Sequence, residues 1–190
     1  MKKIVVFLVN VFLCHVFYRV KYLNLNNVTK FEQCIIAPNH SHILDPVWIY
    51  PKIKNLNIIA KSELFENKLM GWFLKKFGAF PIRRGKKDAR SLIYAIKILK
   101  DDKKSKLLIF PEGGILKDDK RGKHITDSCV YIAGKTELPI IPVHITENPK
   151  LFSKIIIDFG TEMNVNSQIL KDKEKIKEKS RDLLLKIYSK

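Results

Sequence analysis

The sequence predicts an α/β fold with a largely parallel central sheet flanked by helices, and three observations carry that expectation. Short apolar runs alternate with longer amphipathic stretches, as a chain of βα units requires. Several of the short runs are apolar throughout, the pattern of strands covered on both faces. The chain has 190 residues, 46% of them hydrophobic, with only 8 Gly and 8 Pro, which suffices for one sizeable core but not for two.

The elements follow in order. After Lys2 and Lys3 the chain reads IVVFLVNVFLCHVFY over residues 4–18. This resembles the apolar region of a signal peptide, but Arg19, Val20 and Lys21 follow it where a cleavage site would need small residues, so removal is not expected. The run has 15 residues, including Asn10 and His15, and a bilayer crossing takes about 20 apolar ones. Its expected place is in one leaflet, with both cationic flanks on the cytoplasmic face; a buried core helix is the other open reading. The expected division is therefore a membrane-associating segment at 1–22 and a second domain at 23–190.

Strands are expected at QCIIA (33–37), NIIA (57–60), AFPI (79–82), KLLIF (106–110), PIIPVHI (139–145) and KIIIDF (154–159). Helical spacing places Phe65, Leu69, Phe73 and Phe77 on one stripe, and Leu92, Ile96 and Leu99 on another. A charged helix at 171–190 puts Ile176, Leu183, Leu184 and Ile187 on its apolar side. Residues 64–77 carry more apolar surface than one helix face can hide, together with Lys75 and Lys76. Two readings stand open for them: a membrane-facing or acyl-chain-binding helix, and ordinary core packing.

With 36 Lys and Arg against 19 Asp and Glu, the formal net charge is +17. Such a chain expects anionic partners: phospholipid headgroups, phosphorylated small molecules, nucleic acid or an acidic protein. A nucleic-acid binder would also show base-stacking aromatics within a recognisable module, and the sequence has none. Cys14, Cys34 and Cys129 are odd in number and lack CxxC spacing, so they are expected to be reduced core residues. The histidines lack the paired spacing of a zinc site, and no metal is expected.

In parallel sheets, ligands bind where loops leave the C-terminal ends of strands. Four such loops carry chemistry. The first reads Asn39-His40-Ser41-His42-Ile43-Leu44-Asp45-Pro46. Asp45 five residues after His40 can accept the Nδ1 proton across a turn, leaving Nε2 to take a proton from a hydroxyl. Asp45 as an N-cap with Pro46 at the first helical position is the alternative. The second loop carries Arg83 and Arg84, whose guanidinium forks suit phosphate, though a solvated cationic turn has the same composition. The third, LLIFPEGGI (107–115), ends a strand in Glu112, Gly113 and Gly114, suited to close approach of an anion and equally to a tight turn. In the fourth, Pro142 interrupts an apolar strand, which suits an edge, a bulge or a site wall.

In this order the four stretches resemble the glycerolipid acyltransferase family, most closely its bacterial 1-acylglycerol-3-phosphate acyltransferases. The N-H-x-x-x-x-D motif falls on Asn39, His40 and Asp45. The arginine of the second motif falls on Arg84, and Phe110-Pro111-Glu112-Gly113 matches the start of the third. Leu138 to Val143, with Pro142 central, matches the fourth. The resemblance implies that His40 is a general base oriented by Asp45. It implies that Arg84 binds the acceptor phosphate while Glu112 and Gly113 position the glycerol portion.

The implied reaction moves a fatty acyl group from an acyl thioester, on coenzyme A or acyl-carrier protein, to the free hydroxyl of 1-acylglycerol-3-phosphate, giving phosphatidic acid at the cytoplasmic membrane face. No cofactor is implied. Where the family usually has Thr and Arg after the third motif's glycine, this chain has Gly114 and Ile115, and Lys117, Lys120 and Arg121 are the candidates to replace the cation. Another lyso-lipid acceptor and a non-catalytic lipid-binding relative are the alternatives this departure leaves open.

Overall fold

The computed structural model describes residues 14–82, 89–116 and 118–189. Its strands are β1 (Arg19–Leu23), β2 (Ile35–Pro38), β3 (Leu56–Lys61), β4 (Ala79–Ile82), β5 (Lys106–Leu108), β6 (Ile140–Ile145) and β7 (Lys154–Phe159). They form a sheet in the order β1-β7-β6-β2-β5-β3-β4. The helices are α1 (Asn26–Thr29), α2 (Asp45–Ile49), α3 (Lys68–Lys76), α4 (Ala89–Asp101), α5 (Ser128–Thr136) and α6 (Lys173–Tyr188).

From β6 to β4 all neighbours pair in parallel. β7 is antiparallel to β6, and β1 is parallel to β7. The C-terminal ends of β2 to β6 therefore share one edge of the sheet with the N-terminal ends of β7 and β1. That edge collects the chemistry, because every loop leaving β2, β3, β5 and β6 starts there.

Strand alternation divides the core into two layers. Ile36, Leu108 and Ile141 point into one with Trp48 and Ile49 of α2, Phe77, Cys14 and Tyr18. Ile35, Leu107 and Ile140 point into the other against Ala95 and Leu99 of α4, Cys129 and Ile132 of α5, and Leu183 and Ile187 of α6. All four residues expected on the apolar side of the last helix are buried. The fold class read from the sequence is the fold observed.

The structure adds β1, which the sequence reading leaves inside the apolar N-terminal segment. Its alternation of Arg19 and Lys21 with Val20 and Tyr22 covers only five residues and adjoins a continuous apolar run. The expected boundary after residue 22 thus falls within a strand, and residues 1–13 lie outside the described residues. Among the described residues, no helix is long and apolar enough to cross a membrane. In the stretch 64–77, Phe77 is buried and Phe65 and Leu74 pack against the core, whereas Leu69 is 77% and Trp72 46% exposed. Core packing therefore accounts for Phe65, Leu74 and Phe77 but not for Leu69 and Trp72.

All three cysteines are free and buried. Burial pushes the thiol of Cys14 up to about 11 and that of Cys34 up to about 12, and it raises Cys129 further. A raised thiol pKa keeps the protonated, unreactive form across the neutral range. At about pH 8 the folded protein is expected to resist maleimide, with the three thiols modified only after denaturation, as read by mass spectrometry.

Gly78 ends α3 with φ +71, and a Cβ there would sit 2.7 Å from the Leu56 carbonyl oxygen. Both the backbone conformation and the space exclude a side chain. Gly78→Ala is expected to cost about 2–4 kcal/mol and to lower the thermal midpoint by roughly 5–12 °C, checked by calorimetry.

Candidate active site

The loop after β2 is shaped by a carboxyl group without solvent contact. Asp45 is fully buried, and its Oδ2 accepts from the Ser41 N–H at 2.8 Å and from the His42 N–H at 2.9 Å. The same oxygen lies 2.9 Å from His40 Nδ1. An oxygen already accepting from two amides can take the ring contact only as a third acceptor, which puts the proton on Nδ1 and leaves Nε2 as the free base nitrogen. The helix cap is Leu44, and Asp45 makes no capping bond to α2. Of the two readings of Asp45, the geometry therefore selects the histidine partner.

The loop is anchored on both sides. Asn39 is fully buried; its Oδ1 accepts from the Ile145 N–H at 2.7 Å, and its Nδ2 donates to the Ile145 carbonyl at 2.9 Å. The side chain thus acts as an extra strand residue beside the end of β6. On the other side, the His40 backbone N–H donates to Glu112 Oε2 at 3.0 Å. The His40 ring stacks on Phe110, with centroids 3.9 Å apart and an interplanar angle of 22°.

Glu112 is 2% exposed. Its Oε1 accepts from the Gly122 N–H at 3.2 Å and from the Tyr188 hydroxyl, at the end of α6, at 2.8 Å. Burial first, and then the bond to Glu112, raise the Tyr188 phenol well above its ordinary pKa, so it remains the donor. Both carboxylate oxygens are occupied by the protein, and the geometry places Glu112 behind His40 as a support. Gly113, with φ +76, closes the turn by donating its N–H to the Phe110 carbonyl at 3.0 Å. Gly114 is buried beside it, and Ile115 is exposed.

Pro142 is buried in β6, paired with Ala37 of β2. Its carbonyl accepts from the Gly160 N–H at 2.8 Å just where the chain leaves β7, so the missing N–H falls at the end of a ladder. β6 lies between β7 and β2, so of the edge, bulge and site-wall expectations for this proline the edge is not met. Arg83 and Arg84 lie outside the described residues, as does Lys117; β4 ends immediately before the arginines, on the edge that carries His40. Arg121 is held by the Leu116 carbonyl at 3.0 Å, Asn148 Oδ1 at 2.8 Å and Glu147 at 3.5 Å. Among the described residues, no group of three His, Cys, Asp or Glu could hold a metal.

Sequence reasoning assigned no role to Asn39, Phe110, Gly122 or Tyr188. The first two adjoin residues already singled out. Tyr188 lies 76 positions from Glu112, and no spacing rule connects them.

An α/β sheet presenting a carboxylate-oriented histidine at the C-terminal edge of its strands defines a candidate hydroxyl-activating transferase or hydrolase. A sequence model of the acyltransferase family matches residues 19–146, and the chain belongs to that family. It is 32% identical over 140 residues to 1-acyl-sn-glycerol-3-phosphate acyltransferase of Streptococcus pneumoniae, covering 73% of this chain and 50% of the relative. It is 34% identical over 128 residues to the Bacillus subtilis protein of the same name, covering 65% of this chain and 60% of that one. The chain thus spans half to three fifths of these curated relatives. The crystal structure of the 1-acyl-sn-glycerophosphate acyltransferase PlsC of Thermotoga maritima superposes with a TM-score of 0.70 at 21% identity, over 100% of this chain and 82% of that one, and shares its fold.

Asn39→Ala would leave the buried N–H and carbonyl of Ile145 without partners, at roughly 1–3 kcal/mol each. A loss of about 2–4 kcal/mol in urea denaturation is expected. Tyr188→Phe removes one of three donors to Glu112 and is expected to cost about 1–2 kcal/mol by the same measurement.

Proposed function

We propose that the chain transfers a fatty acyl group from an acyl thioester to the free hydroxyl of 1-acylglycerol-3-phosphate, yielding phosphatidic acid. Family membership and the names of the relatives support the reaction class. The observation that carries the reading is the His40–Asp45 contact of 2.9 Å, with Asp45 Oδ2 fixed by two further amides.

His40 Nε2 removes the proton of the acceptor hydroxyl as its oxygen attacks the thioester carbonyl. Asp45 holds the ring and stabilises the imidazolium that forms. The new C–O bond and the loss of the C–S bond leave a thiolate, which takes the proton back from His40. No acyl-enzyme is needed. Arg84, at the position of the family's arginine, binds the acceptor phosphate, with Arg83 beside it. Glu112 acts through the His40 backbone, and Gly113 and Gly114 keep the turn at Phe110 narrow.

The acyl donor is acyl-carrier protein or acyl-coenzyme A, and no cofactor takes part. The chain works at the cytoplasmic face of the cell membrane, held by its apolar N-terminal segment and by its positive charge. Exposed Leu69 and Trp72, on the helix that follows β3, supply apolar surface for an acyl chain.

A second reading, transfer to a different lyso-lipid, is favoured by one observation. Ile115 stands where the family's cation is usual, and the Arg121 guanidinium that could replace it is tied to Asn148 and Glu147. Purified protein in detergent, offered both donors and a panel of lyso-lipids, is expected to acylate 1-acylglycerol-3-phosphate. His40→Ala and Asp45→Asn are each expected to lower kcat by about 10²–10⁴-fold with the fold intact by circular dichroism. Turnover of other acceptors alone would move the substrate to the second reading, and retained activity in His40→Ala would overturn the mechanism.

A further inference from the structure

The reversed direction of β7 and β1 puts the connection between β6 and β7, and the entry to β1, on the same edge of the sheet as His40. Four large apolar side chains are exposed there, Val16 among them. Leu151 is 57%, Phe152 59% and Phe17 37% exposed, although a soluble chain ordinarily buries such groups. The Phe17 and Phe152 rings lie 6.2 Å apart, and the Phe152 N–H donates to the Phe17 carbonyl at 2.8 Å. The two segments thus form one tip. Phe152 holds φ +64, a conformation that bulky residues rarely adopt, and it does so with its ring in solvent.

Cations surround the tip. Lys150 and Lys154 flank Leu151 and Phe152 in sequence and are exposed, as is Arg19, which also reaches the Phe152 carbonyl at 3.4 Å. An open cleft of about 360 Å³ beside it is lined by His15, Arg19, Val20, Lys21 and Lys154. Among the described residues, no carboxylate lines this cleft. An apolar tip ringed by lysine and arginine complements an anionic interface, in which rings enter the headgroup boundary and ammonium groups meet phosphates.

The tip is also joined to the site. Tyr18, next to Phe17, lies edge-on to His42 with centroids 6.4 Å apart. Arg121 ties Asn148 of the same connection to the segment whose Gly122 N–H supports Glu112.

We infer that Phe17, Leu151 and Phe152, with Arg19, Lys150 and Lys154, form a docking surface for an anionic phospholipid bilayer, so that the edge carrying His40 faces the membrane. The inference rests on the proposed lipid substrate for its purpose and goes beyond it in naming the surface. It adds to any hold exerted by residues 1–13.

The test is docking without turnover. An environment-sensitive fluorophore is attached to Phe152→Cys in the full chain, and to Lys103→Cys in the exposed turn before β5 at the opposite edge, the native cysteines being buried. Each is mixed with phosphatidylcholine vesicles with and without phosphatidylglycerol. The label at 152 is expected to shift to the blue and to be quenched by lipids brominated on the acyl chain, while the label at 103 is not. A second variant, Arg19→Glu with Lys154→Glu, is expected to weaken binding to the anionic vesicles by about tenfold or more. Equal responses at 152 and 103, or no vesicle binding, would overturn the surface. Acyl transfer to a detergent-dispersed acceptor, measured on the same proteins, reads the reaction separately, so the failure of one is not the failure of the other.

Discussion

A carboxyl group with no water beside it must find its hydrogen bonds in the protein, and at Asp45 that requirement fixes the shape of the site. Leaving such a group unpaired costs several kcal/mol, so the chain around it folds to supply donors. Ser41 and His42 turn their amides inward to one oxygen, and His40 adds its ring. The three residues that serve Asp45 Oδ2 are consecutive, so pairing that oxygen and aiming His40 are the same conformational event, while Oδ1 is left without a partner. The partners of this oxygen are amides and an imidazole, in place of a lysine or arginine.

Glu112 repeats the principle from behind. It gathers the His40 amide, the Gly122 amide and the Tyr188 hydroxyl from three distant parts of the chain. Asn39 completes the anchorage by extending β6 with a side-chain amide. His40 therefore rests on the sheet through bonds to β6, to the loop after β5 and to the last helix, and not on the six-residue loop alone. Preorganisation of this kind lets a histidine act as base without first paying to order its own loop.

The legibility of this architecture in the sequence followed the range of the interactions. β2, β5 and β6 were readable because they are apolar enough to be covered on both faces, the remaining strands of β2 to β7 as short apolar runs between amphipathic stretches, and α4 and α6 because their apolar stripes repeat at helical spacing. β1 was not, since its two cations face outward on an edge strand beside an apolar run. α5 was hidden because Cys129, Val130, Ile132 and Ala133 are all buried, so no polar face alternates with them. Within the site, the His40–Asp45 pair is a local event and announces itself in eight residues. The Glu112–Tyr188 bond is not local: a glutamate in a Pro-Glu-Gly-Gly turn suggests a ligand when read alone, and only the fold shows three donors already in place.

The direction of β7 has a consequence for how such a site could meet a lipid. A sheet wholly parallel would send the connection after β6 back across a face to the opposite edge. By turning antiparallel through a short connection instead, the chain keeps Leu151 and Phe152 on the edge that carries His40, and parallel pairing with β7 brings Phe17 there as well. One topological reversal thus puts apolar side chains and cations beside the loop that holds His40. A soluble substrate would give no reason to keep those rings in water; an acceptor whose hydroxyl lies at the surface of a bilayer would.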